Sequence, residues 1–216
     1  DEARVAAGVA AARAALEARA AAKRTTAVDP AGVLARLSTG TRLESLSGAD
    51  VVVEAVTEDE TVKGKVLGGI AEVVGLGAII ATNTSTIPVS RLSAHVPAPE
   101  RFVGMHFFNP VDRMELVEVV RGAATDDATV ATVVALARRL GKLPLVVRDG
   151  PGFLVNRLLF PSMNEAIVLL AEGLSPDAID AAAVRFGMPM GPIALHDLVG
   201  LDTCLAACGV MAKAFP

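Results

Sequence analysis

The feature that most constrains this chain is the alternation of short apolar runs with longer stretches of helical periodicity. Residues 50–56 and 78–82 form two such runs, the first interrupted by Glu54. Both fall far short of the roughly 20 apolar residues that a membrane-spanning helix needs. Near-continuous apolarity over four to seven residues instead suits strands buried on both faces of a parallel sheet. Residues 60–74 between them have helical character, so the segment predicts a strand, a crossover helix and a strand. A short helix is expected after Pro88, strands at 101–107 and 116–120, a helix at 126–140 and a strand at 143–147. Such alternation implies an α/β fold with a doubly wound sheet.

At Asp149-Gly150-Pro151-Gly152 the pattern breaks on turn residues, and no β-rich run follows. Residues 153–171 carry apolar positions at helical spacing, Ser175-Pro176-Asp177 reads as a helix N-cap with proline at the first helical position, and Gly187 and Gly191 bracket another break. The expected division is an α/β domain over residues 1–149 and an all-helical region over 150–216. The chain opens on alanine, arginine, glutamate and valine, with no proline before Pro30, which predicts a helix over residues 1–24.

Composition excludes several classes of function. A net charge of -4 offers no basic field for a nucleic-acid backbone. The two cysteines, Cys204 and Cys208, are spaced neither as a redox motif nor as a metal framework, and they read as small core thiols. No His, Cys and carboxylate cluster has zinc spacing, so no metal site is expected. No signal peptide is evident, and a reducing cytoplasm is the expected compartment.

In open α/β sheets ligands sit beyond the carboxyl ends of the strands, where this chain places polar residues abruptly after apolar runs. The segments are residues 54–58, Asn83-Thr84-Ser85 and residues 106–109. Strand-end turn chemistry accounts for any one of them; three together favour a shared cleft. Among three histidines, His95 is expected to be a solvated residue at a helix end and His196 a surface or interface residue. His106 ends a strand and precedes Phe107 and Phe108, a setting that suits a general base. Glu118 shares a strand face with Leu116 and Val120 by period-2 alternation. It reads either as the carboxylate that orients such a base or as an edge-strand residue facing water.

The runs Ala81-Thr82-Asn83-Thr84-Ser85, Gly104-Met105-His106-Phe107-Phe108-Asn109-Pro110, Leu116-Val117-Glu118-Val119-Val120-Arg121-Gly122 and Pro151-Gly152-Phe153-Leu154-Val155-Asn156-Arg157, in this order, resemble the 3-hydroxyacyl-CoA dehydrogenase family. Thr86-Ile87-Pro88, Asn109-Pro110-Val111-Asp112-Arg113-Met114, Pro189-Met190-Gly191-Pro192 and the ending from Val210 resemble the α subunit of the bacterial fatty acid oxidation complex in particular. The resemblance implies a Rossmann-type NAD-binding domain followed by a helical C-terminal domain. It implies oxidation of (3S)-3-hydroxyacyl-CoA to 3-ketoacyl-CoA with NAD as cofactor. His106 would be the base and Glu118 its orienting carboxylate, while Ser85 and Asn156 would bond the substrate's 3-oxygen and thioester region. Glu58, Lys63, Asn83 and Asn109 would line the ribose and nicotinamide side of the NAD site. A thiolase β subunit and a second copy of the chain are the implied partners.

One departure stands against that pattern. The G-x-G-x-x-G turn that family members place after their first strand is missing, and Gly75-Leu76-Gly77 is the nearest approach to it. The expectation is a piece of a longer protein whose first β-α-β unit precedes Asp1 and whose helical domain continues past Pro216. The alternative to a piece is a shortened relative that cannot hold NAD tightly, and the alternatives for function are a dehydrogenase of another 3-hydroxy acid and a non-catalytic assembly module.

Overall fold

A computed structural model of the chain describes residues 1–21 and 29–214. The opening helix, α1 (Glu2–Ala21), buries none of its residues, and residues 22–24 of the predicted helix lie outside the described residues. Asp29 caps α2 (Pro30–Leu34) by accepting the Ala31 N–H at 3.1 Å, with Pro30 at the first helical position.

Five strands form one sheet in sequence order: β1 (Val51–Glu54), β2 (Ile79–Thr82), β3 (Phe102–Phe107), β4 (Leu116–Arg121) and β5 (Leu143–Arg148). The first three are parallel, with Val52 beside Ile80 and Ala81 beside Val103. β4 runs antiparallel to β3, and β5 runs parallel to β4. The sheet is therefore mixed, because residues 108–115 reverse the chain without a crossover helix. β2 is buried at all four positions, as its unbroken apolar run requires.

Helices cover both faces. Leu67 and Ile70 of α3 (Glu60–Val73), with Val89 and Leu92 of α4 (Val89–Leu92), form one apolar layer with Val52, Ile80, Phe102 and Val120. Val133 and Ala137 of α5 (Asp127–Arg139) meet Ile79, Val103, Met105, Val117 and Val119 on the opposite face. The doubly wound expectation holds. Gly104 lies on the α4 side, where a Cβ would come within 2.6 Å of Val120 Cβ and 2.9 Å of Val89 Cγ2. Its missing side chain is what lets α4 sit close to the sheet.

Beyond β5 the described residues are helical: α6 (Val155–Ala171), α7 (Pro176–Phe186), α8 (Pro192–Val199) and α9 (Leu201–Ala214). Ser175 caps α7 as predicted, and Gly187 ends it with φ +117°. Asp180 of α7 accepts the Ile193 and Ala194 N–H groups at 2.8 and 3.0 Å, satisfying the start of α8. The first helix of this region begins at Val155, two residues later than its apolar spacing suggests, because Phe153 occupies a turn with φ +48°. Among the described residues no single helix is long and apolar enough to cross a membrane.

Candidate functional site

Because β1, β2 and β3 are parallel, their carboxyl ends share one edge, and the three polar segments picked out from the sequence all lie along it. His106 and Glu118 are directly opposed in the antiparallel β3–β4 ladder. That register places both side chains on one face, and His106 Nδ1 lies 2.8 Å from Glu118 Oε2. Glu118 is fully buried, since β4 is an interior strand rather than an edge. Its other oxygen accepts the Leu154 N–H at 3.0 Å and the Val155 N–H at 2.9 Å, at the start of α6. A buried carboxylate is thus fully partnered by one ring and a helix N-terminus. Burial pushes its carboxyl up, but the hydrogen bonds from His106, Val155 and Leu154 outweigh that, and it rests below the ordinary carboxylate range.

Nδ1–H donation to Glu118 leaves Nε2 as the basic nitrogen of the neutral ring, and Nε2 has no hydrogen-bond partner among the described residues. Phe108 and Phe153 flank the imidazole, with ring centroids 4.5 and 5.8 Å away.

A second cluster anchors the loop after β2. Glu58 Oε1 accepts from Thr84 Oγ1 at 2.6 Å, from the Ser85 N–H at 2.9 Å and from the Thr86 N–H at 3.0 Å. Burial raises the Glu58 carboxyl, yet these bonds and the Lys63 charge hold it below its usual range. Lys63 Nζ lies 2.9 Å from Glu54 Oε1 and 3.4 Å from Glu58 Oε2, and it donates to the Val56 carbonyl at 3.1 Å. At 1% exposure its ammonium is enclosed by protein acceptors and holds Glu58 in place. Glu54 Oε2 accepts from Thr82 Oγ1 at 2.7 Å, which completes the network.

Asn156 Nδ2 donates to the Ser85 carbonyl at 3.1 Å, joining α6 to this loop. Asn83 Oδ1 accepts the Phe107 N–H at 2.8 Å, so the Asn83 amide is fixed between β2 and β3. Asn109 is exposed just past β3 and is the one predicted site residue with no hydrogen bond among the described residues. Ser85, His106, Glu118 and Asn156 are thereby brought to a single place. His196, expected at a surface or interface, is instead buried, and its Nδ1 meets the Pro192 carbonyl at 2.7 Å, one helical turn back. His95 is exposed as expected. Sequence reasoning picked out Glu54 and Thr84 only as members of the strand-end segments, without a role, and missed Thr82 and Phe153. A glutamate interrupting an apolar strand was the available signal for Glu54; a positive φ at phenylalanine leaves no signal.

The fold and site define a Rossmann-like dinucleotide-binding domain with a helical module closing over its strand ends. Residues 1–150 match the 3-hydroxyacyl-CoA dehydrogenase NAD binding domain, and residues 152–216 match the 3-hydroxyacyl-CoA dehydrogenase C-terminal domain. The chain belongs to the 3-hydroxyacyl-CoA dehydrogenase family. It is 49% identical over 187 residues to the fatty acid oxidation complex subunit alpha of Colwellia psychrerythraea, and 46% identical over 194 residues to that of Acinetobacter baylyi. Those matches cover 86% and 90% of this chain but only 26% and 27% of the relatives, so the chain spans about a quarter of their length. The crystal structure of (S)-3-hydroxybutyryl-CoA dehydrogenase from Ralstonia eutropha superposes with a TM-score of 0.94 at 44% identity, covering 100% of this chain and 77% of that one. The 3-hydroxybutyryl-CoA dehydrogenase from Escherichia coli gives 0.88 at 38% identity, covering 96% and 44%.

Proposed function

We propose that this chain carries the NAD-dependent oxidation of (3S)-3-hydroxyacyl-CoA to 3-ketoacyl-CoA. The observation that carries the reading is the buried His106–Glu118 pair, whose Nε2 is left without a hydrogen-bond partner among the described residues. Bound NAD would supply the hydride acceptor for C3. The strand-end residues suit its nicotinamide and ribose end: the fixed Asn83 amide, the exposed Asn109 amide and the carboxylate of Glu58 offer both donors and acceptors there. His106 Nε2 takes the proton of the 3-hydroxyl as the hydride departs. Glu118 keeps the ring in one tautomer and stabilises the imidazolium that forms. Ser85 and the Asn156 side chain, tied together at 3.1 Å, bond the 3-oxygen and thioester region and orient C3.

The relatives support a finer reading, in which the chain is the dehydrogenase segment of a fatty acid oxidation complex α subunit; a thiolase β subunit and a second copy of the chain are the partners proposed with it. The test is turnover of the intact protein with acetoacetyl-CoA and NADH, followed by NADH absorbance. His106→Gln is expected to lower kcat by about 10²–10⁴-fold while NADH affinity is retained. Retention of most turnover would show that His106 is not the base.

A further inference from the structure

We infer that Phe153 is a positioning residue for the His106–Glu118 pair, acting through a strained turn that no assigned role explains. This rests on the proposed reading of His106 as the base. Phe153 has φ +48°, a region that bulky L-residues rarely occupy, and it is the one non-glycine residue with positive φ among the described residues. Such a conformation persists only where its surroundings hold it. Here the Phe153 N–H donates to the Gly150 carbonyl at 3.1 Å, and the side chain is 4% exposed in the same apolar layer as Val120 and Val147.

Two consequences of the turn converge on the pair. The ring of Phe153 packs 5.8 Å from the imidazole of His106, with Phe108 beside it at 4.5 Å. The next two N–H groups along the chain, those of Leu154 and Val155, are the donors to Glu118 Oε1. His106 has one side-chain hydrogen bond, through Nδ1, and a single bond leaves the ring free to tilt about it. The flanking aromatic rings remove that freedom and fix where Nε2 lies. Glycine would adopt φ +48° without strain, so the backbone of the turn does not itself call for phenylalanine. What phenylalanine adds is the ring, and the ring meets His106.

The experiment is a double-mutant cycle on the intact protein, with steady-state kcat and KM for both substrates and a melting temperature for every variant. Phe153→Leu is expected to lower kcat at least fivefold with both KM values within about twofold of the parent. In a Glu118→Gln background, where the ring has already lost its anchor, the same change is expected to cost less than twofold. Phe153→Gly relaxes the turn and keeps both N–H groups but empties a buried core position, so a lower melting temperature is expected alongside a kcat loss at least as large as that of Phe153→Leu. A kcat loss under fivefold in Phe153→Leu, or losses that multiply in the double variant, overturns the inference and leaves Phe153 a packing residue. His106→Gln, assayed alongside, separates the two readings: if it keeps turnover the proposed base is wrong, whatever Phe153 does.

Discussion

Lys63 and Glu54 lie 2.9 Å apart with side chains 1% and 0% exposed, and neither has access to water that could screen its charge. Removing one member leaves the other charged and buried, a loss of about 3–5 kcal/mol. Lys63→Met is expected to show that loss in denaturant unfolding, and adding Glu54→Gln should recover a substantial part of it. The first result without the second would mean that Glu54 matters through Thr82 Oγ1 rather than through Lys63. Individual residues were unequally legible. Glu118 could be singled out because a polar residue inside an apolar strand has to find a partner, and period-2 alternation gives its face, but that pattern left open whether it meets His106 or water. Lys63 was recognisable by resemblance, but its helical position carries no hint that its ammonium is enclosed by Glu54, Glu58 and a backbone carbonyl.

Short elements in this chain are stabilised from outside. α4 spans only Val89–Leu92, far too short to persist alone, and its first two N–H groups, from Val89 and Ser90, are held by Asp149 at 2.8 and 2.7 Å. Asp149 lies just past β5, so one carboxylate fastens a helix on the α3 side to the point where the sheet gives way to the helical module. Asp149→Ala is expected to cost about 1–2 kcal/mol, read as a lowered melting temperature. Asp149→Asn, which can still accept one of the two bonds, should lose less. At this scale the order and type of elements could be read from apolar periodicity and turn residues. Strand direction could not, because alternation is the same for a strand run either way. The antiparallel turn of β4 therefore emerged only in three dimensions, and it is this turn that sets Glu118 opposite His106. The late start of α6 escaped for a different reason: Phe153 continues the apolar spacing but sits in a turn with positive φ.

At the scale of the whole molecule, Glu58 and Glu118 make stability depend on acidity. Both carboxyls lie below their usual range in the folded chain, mainly through hydrogen bonds that outweigh the cost of burial. A carboxyl whose folded pKa lies below its unfolded value stabilises the fold at every pH above the unfolded value, about 4.3 for glutamate. That contribution fades as pH falls through the folded value. The melting temperature is therefore expected to decline on acidification below about pH 4–5, and to decline less steeply in Glu58→Gln. An identical acid limb in parent and variant would remove Glu58 from the account. The other whole-molecule feature is the division of labour within Glu118. One oxygen grips the imidazole, the other grips the first N–H groups of α6. The proposed base and the attachment of the helical module are thus joined at one carboxylate, and neither is free to drift alone. A chimera that fits a foreign helical bundle onto this sheet would keep the Glu118 carboxylate fully partnered, and the proposed base anchored, only if the incoming bundle offered its own pair of N–H groups at that spot.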